Sequence, residues 1–113
     1  MLQYSNNLKI VGVFSSDRIG MAEKTSRQLE RHLKGLANHW RLDILFLLAN
    51  NDALTLEGVI EKLKGNQKTL SFHTTQLVHA GLLRKEYRGR TLVHMLSPYG
   101  KKFYHFLKTL QQS

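Results

Sequence analysis

Read for apolar spacing, the chain separates into a series of helical stretches and one pair of strands. From Met21 to Leu36, Leu29, Leu33 and Leu36 recur three and four residues apart, with Lys24, Arg27, Glu30, Arg31 and Lys34 on the other faces. That spacing predicts an amphipathic helix. Gly35 and Asn38 mark its end, and Asn38 is placed to cap a second helix over His39 to Ala49. The second helix is apolar on most sides at Leu42, Ile44, Leu45, Phe46, Leu47 and Leu48, which puts it at the centre of the core. After the polar turn Asn50-Asn51-Asp52, Thr55 can cap a third helix, with Glu57 near its positive end and Leu56, Val59, Ile60 and Leu63 as its buried stripe. Lys64-Gly65-Asn66 breaks that helix.

Asn66 then caps a fourth helix, about 67–80, with Leu70, Thr74, Leu77 and Val78 on one side and Gly81 as the residue that ends it. The period changes to that of strands over Leu82 to Arg88 and Thr91 to Leu96, on either side of the turn Arg88-Gly89-Arg90. Ser97-Pro98 opens a last helix, a serine cap followed by proline in the first turn, and Phe103, Phe106, Leu107 and Leu110 form its stripe. Leu8 to Phe14 has strand-like composition, so residues 1–20 are read as an arm or edge strand and residues 21–113 as one domain. The expected class is mainly α with a small β-hairpin, in the order ααααββα.

Charge adds direction to this picture. The formal net charge is +9 and the sequence pI is near 10.1. From Arg84 onward there are seven basic residues against Glu86 alone, so +6 falls in the last 30 residues and +3 in the first 83. Such a balance favours a polyanionic partner, because neutralising phosphates releases counterions. There is no cysteine, which removes disulfides, thiolate metal sites and cysteine catalysis. The longest strongly apolar run, Ile44 to Ala49, is too short to span a bilayer, and the N-terminus lacks the pattern of a secretory signal. The expectation is a cytoplasmic protein that does not enter a membrane.

LANHWRLDILFLL, TLSFHTTQLVHAGLL, YRGRTLVHML and SPYGKKF, in that order, together resemble the ArsR-type winged helix-turn-helix family of transcription regulators. LANHWRLDILFLL resembles the family's L-A-x-x-x-R-x-x-I-L-x-x-L signature at Leu36, Ala37, Arg41, Ile44, Leu45 and Leu48. TLSFHTTQLVHAGLL resembles T-V-S-x-H-L-x-x-L-x-x-A-G-L-V at Thr69, Leu70, Ser71, His73, Leu77, Ala80, Gly81, Leu82 and Leu83. YRGRTLVHML resembles the wing, and SPYGKKF the start of the last helix. Three positions depart from the pattern: His39-Trp40 replaces the usual Asp-Pro, Thr74 a leucine, and Gly65 the leucine that opens the turn before the fourth helix. The resemblance implies a sequence-specific double-stranded DNA-binding regulator. It also implies a homodimer, paired through the first and last helices.

On a helical wheel, the fourth helix turns Lys68, Phe72, Thr75, Gln76 and His79 outward, with Thr69 and Ser71 on the flanks. A major groove admits such a helix. Gln76 can pair with adenine, Thr75 or Phe72 can touch a thymine methyl, and Lys68, Thr69 and Ser71 lie where a helix N-terminus meets phosphate. Arg88 and Arg90 at the hairpin tip, with Arg84 and Lys85 at its base, suit the backbone or minor groove. The stripes Leu29, Leu33, Phe103, Phe106, Leu107 and Leu110 are the candidate dimer surface, which would set two fourth helices about 34 Å apart.

Other chemistry finds little support. The last helix has a single histidine, His105, and no carboxylate, and His32 and His39 lie across a helix break, so no metal site is expected. His73 matches the family motif and reads as structural. Asp43 and Asp52 are isolated, and Ser71 near His73 has no orienting carboxylate, so no catalytic residue and no cofactor are expected. The main alternative is a winged-helix protein-interaction or assembly module without specific DNA binding, for which an exposed Phe72 would serve. A second is RNA binding on the same fold. Any small-molecule effector, the operator, and the sign of regulation are not written in the sequence.

Overall fold

The computed structural model describes residues 23–113; the arm or strand expected within 1–20 lies outside them. Helix α1 spans Ser26–Leu36, α2 His39–Ala49, α3 Leu56–Leu63, α4 Gln67–His79 and α5 Pro98–Gln111, with strands β1 (Leu83–Arg88) and β2 (Thr91–Leu96) between α4 and α5. This is the expected order, ααααββα, and the fold is a winged helix-turn-helix.

Each helix starts where a side-chain oxygen satisfies free backbone N–H groups. Asn38 accepts from Trp40 and Arg41, Thr55 from Gly58, Asn66 from Thr69, and Ser97 from Gly100. The first helix is shorter than its apolar spacing predicts. Thr25 and Gln28 form a reciprocal capping box, each side chain bonding the other's backbone N–H, so the helix begins at Ser26 instead of near Met21. The C-terminus of α4 is a Schellman motif: Leu82 N–H reaches Leu77 O at 3.0 Å and Gly81 N–H reaches Val78 O at 3.0 Å. Gly81 takes φ +80°, a conformation that disfavours any side chain.

Ile44, Leu45, Val59, Leu70, Leu77 and Leu82 are fully enclosed, two from α2, one from α3, two from α4 and one from the turn after α4. β1 and β2 pair antiparallel from Leu83 opposite Leu96 to Arg88 opposite Thr91. Leu54 adds a third rung, exchanging backbone bonds of 3.0 and 2.7 Å with His94. The hairpin is therefore anchored near its base along the outer edge of its second strand, and it projects beyond that point.

Candidate nucleic-acid interface

The inward face of α4 is the one the wheel predicts: Leu70, Thr74 and Leu77 are buried. Lys68, Phe72, Thr75 and His79 are exposed, Phe72 by 54% of its surface, while Thr69, Ser71 and Gln76 are half-buried on the flanks. The two flanks face different neighbours. Ser71 and Thr75 share a cleft of about 460 Å³ with Lys85, Arg90 and Thr91 of the hairpin and Glu57 of α3. Gln76, expected to point straight out, instead lines a groove against α1 and α2 together with His79.

The four hairpin cations do not act as one group. Side chains alternate across a strand, so Arg84, Glu86 and Arg88 share one face and Lys85 and Tyr87 the other. Lys85 and Arg90 open into the cleft beside α4, whereas Arg84 and Arg88 line a pocket on the far side with Lys101, Tyr104 and His105 of α5. Arg88 Nε donates to Glu86 Oε2 at 3.2 Å, and Arg84 donates to Met95 Sδ at 3.4 Å. The period-two rule applied to LRKEYR contains this division. Counting charge by segment missed it.

His73 holds α4 against α2. Arg41 Nε donates to His73 Nδ1 at 3.0 Å, and the same guanidinium donates to Lys34 O and Gly35 O at the end of α1. Burial, then the positive charges of Arg41 and His39, push the His73 imidazole below the ordinary histidine range. A neutral ring whose Nδ1 accepts carries its hydrogen on Nε2. In this chain the arginine of one motif and the histidine of the other are thus direct partners. His94, on β2 in the lining of the cleft, is also pushed down, first by burial and then by the Lys85 ammonium, against the opposing effect of its backbone bond to Leu54.

His32 is 3% exposed, and its Nδ1 lies 2.7 Å from Ala80 O, just past α4. A carbonyl only accepts, so Nδ1 carries the hydrogen. The ring sits between Tyr99 and Phe103 of α5. Among the described residues no three His, Asp or Glu side chains converge as metal ligands would, and no helix is long and apolar enough to cross a membrane.

The apolar stripes of the terminal helices divide as well. Leu29, Leu33, Phe106 and Leu110 are exposed by 43%, 53%, 57% and 54%, whereas Phe103 and Leu107 are half-buried against the core. Leu29, Phe103 and Phe106 line an open groove of about 410 Å³ between α1 and α5, rimmed by Lys24 and Lys102.

No family model and no curated protein matches the chain. Solved structures do. Mb0332 from Mycobacterium bovis, a homodimeric winged helix-turn-helix DNA-binding domain described as a possible ArsR-family regulator, is 24% identical over 81% of this chain and 91% of that one, with a TM-score of 0.69. HlyU from Vibrio cholerae is 30% identical over 81% of this chain and 100% of that one, with a TM-score of 0.70. The chain belongs to the ArsR-type family of transcription regulators. A second HlyU, a transcriptional regulator from Vibrio vulnificus, matches at 30% identity over 75% of this chain and 88% of that one, with a TM-score of 0.64.

Two of this chain's departures from the ArsR-type pattern are packed against one another. A Cβ at Gly65 would stand 2.6 Å from Leu70 Cδ1 and 3.2 Å from the Trp40 ring. Leu70 first, and then the Trp40 indole, take the room that a side chain at 65 would need. Gly65 is thus set by space. The left-handed residue there is its neighbour Lys64, at φ 55°.

Proposed function

We propose that this chain is a homodimeric, double-stranded DNA-binding transcription regulator that reads sequence through α4 and holds the duplex backbone with one face of the hairpin. The observation that carries it is the cleft in which Ser71 and Thr75 of α4 meet Lys85 and Arg90. A helix seated in a major groove through Lys68, Phe72, Thr75 and His79 brings that cleft against the adjacent phosphates. Asn66 caps the helix by accepting from Thr69 N–H, and the hydroxyls of Thr69 in the first turn and of Ser71 on the cleft side suit phosphate. Arg84 and Arg88 stand on the opposite face, with Arg88 paired to Glu86, and contribute less.

The exposed Leu29, Leu33, Phe106 and Leu110 are the surface that a second copy covers. An apolar strip of this kind on two adjacent helices favours burial, and Mb0332 is homodimeric.

The test is selection of bound fragments from random duplex DNA, followed by a salt titration on the winner. A two-fold symmetric site with half-sites about one helical turn apart is expected, with affinity falling steeply as salt rises. Recovery of no preferred sequence together with a flat salt response would overturn the reading.

A further inference from the structure

The second flank of α4 carries charge that the recognition scheme above does not use. Arg27, Arg31 and Lys34 fall at i, i+4 and i+7 on α1, and so share one face of that helix. They line, with Arg41, Gln76 and His79, a groove of about 480 Å³ that runs along the side of α4 away from the hairpin. Its one acid, Glu30, is already taken by Lys34 at 3.1 Å. The Arg41 guanidinium is committed to His73 and to the α1 carbonyls. That leaves Arg27 and Arg31, both exposed and with no carboxylate partner among the described residues, beside the outward edge of the reading helix.

The same helix keeps this face clear of the proposed dimer contact. At 100° per residue, Leu29 and Leu33 stand roughly 200–240° around α1 from Arg27, while Arg31 and Lys34 lie within about 40° of it. The leucines can therefore meet a second copy while the arginines face the duplex.

We infer that α1 is a third DNA-contacting element: Arg27 and Arg31 bind duplex phosphates on the flank of α4 opposite the hairpin. The backbone is thus clamped from both sides of the reading helix. On one side are Lys85 and Arg90, and on the other are Arg27 and Arg31. In a two-fold dimer joined through α1 and α5, the α1 side of each reading helix is the side nearer the symmetry axis. The phosphates concerned are therefore those between the two half-sites. Guanidinium groups suit this role, since each can hold phosphate oxygens in a two-pronged fashion. These contacts carry no base information, so they set affinity and spacing and leave the preferred half-site unchanged.

The inference rests on the DNA-binding reading, and the experiment separates the two. The full chain with Arg27→Gln and Arg31→Gln is titrated with salt on the selected site beside the wild type, and phosphate contacts are mapped by ethylation interference. The logarithmic salt slope is expected to fall by about 1.8 per protomer, or about 3.6 for the dimer. Interference is expected to vanish between the half-sites and persist within them. Glu30→Gln, which frees Lys34 and removes the groove's acid, is expected to tighten binding, an outcome that misfolding cannot imitate. Wild-type binding with an unchanged slope and unchanged interference in the double variant overturns the α1 contact alone. Absence of salt-dependent duplex binding by the wild type overturns the reading of the whole interface with it.

Discussion

Replacing Ser97 by alanine strikes a joint on which both the hairpin and the last helix depend. The hydroxyl oxygen accepts from Gly100 N–H at 2.9 Å, which caps α5, while its hydrogen is donated to Gly81 O at 2.6 Å, which closes the turn after α4. Ser97 is 5% exposed, so water does not readily replace either bond. Loss of a serine cap costs about 1 kcal/mol, and a part-buried carbonyl left without its donor costs about 1–2 kcal/mol. The two effects share one atom and are not independent, so about 2–3 kcal/mol is expected in total. For a domain of this size that is a fall of roughly 10–20 °C in Tm. Urea unfolding at fixed protein concentration should show the midpoint displaced with the m-value unchanged. Ser97→Asp separates the two parts. A carboxylate still accepts from Gly100, but it has no proton for Gly81 O and sets a negative charge beside that carbonyl. It should be no more stable than Ser97→Ala. A loss below about 0.5 kcal/mol in the alanine variant, or wild-type stability in the aspartate variant, would refute the double role.

Other consequences are as direct. Lys85→Ala with Arg90→Ala should lower the salt slope of duplex binding by about 1 per phosphate lost, while Arg84→Ala with Arg88→Ala should change it much less; equal effects would contradict the two-faced hairpin. Leu33→Glu with Phe106→Glu should leave the fold intact by circular dichroism yet yield a monomer in sedimentation, and a dimer surviving both changes would place the interface elsewhere. Because His73 and His94 are both held below the ordinary histidine value of about 6.5, the unfolded chain takes up protons that the native chain refuses as pH falls through that value. Stability is therefore full above it and declines toward each native value. Urea midpoints at pH 7.5 and 5.5 should show the loss, His73→Gln with His94→Gln should flatten it, and a midpoint that rises toward acid would reverse the argument.

Much of the fold was legible because its signals are local. Asn38, Thr55, Asn66 and Ser97 each cap the helix that follows, and Gly81 takes the positive φ that a helix-ending glycine supplies. The inward face of α4 follows from periodicity alone. The start of α1 did not, because Thr25 and Gln28 end the helical run by a reciprocal bond that hydrophobic spacing does not register. At the interface, the outward positions of α4 were readable, but their neighbours were not. Gln76 turns toward α1 because α1 packs across that flank, a contact between segments far apart in sequence. The Arg41–His73 bond, 32 positions apart, and the His32–Ala80 bond, 48 apart, are of the same kind. Gly65 is a related case, since the side chains that crowd it, Leu70 and Trp40, come from two different helices.

The distant contacts share a destination, and that has a consequence for how a dimer would present its reading helices. His32 of α1 bonds Ala80 O, Ser97 at the start of α5 bonds Gly81 O, and Ser97 N–H bonds Leu82 O at 3.0 Å. Gly35 and Gly100 lie so close to this turn that an added Cβ would collide with the Ala80 side chain in one case and with the Leu82 carbonyl in the other. Both terminal helices are thus fastened, without an intervening linker, to the three residues that end α4. The helices that would join two copies are the same ones that fix the end of the reading helix. In a dimer joined through α1 and α5, a change in how they pair would be transmitted to α4 as a rigid displacement. Half-site spacing would then report the state of the dimer interface, because packed cores shift between discrete arrangements and do not yield continuously.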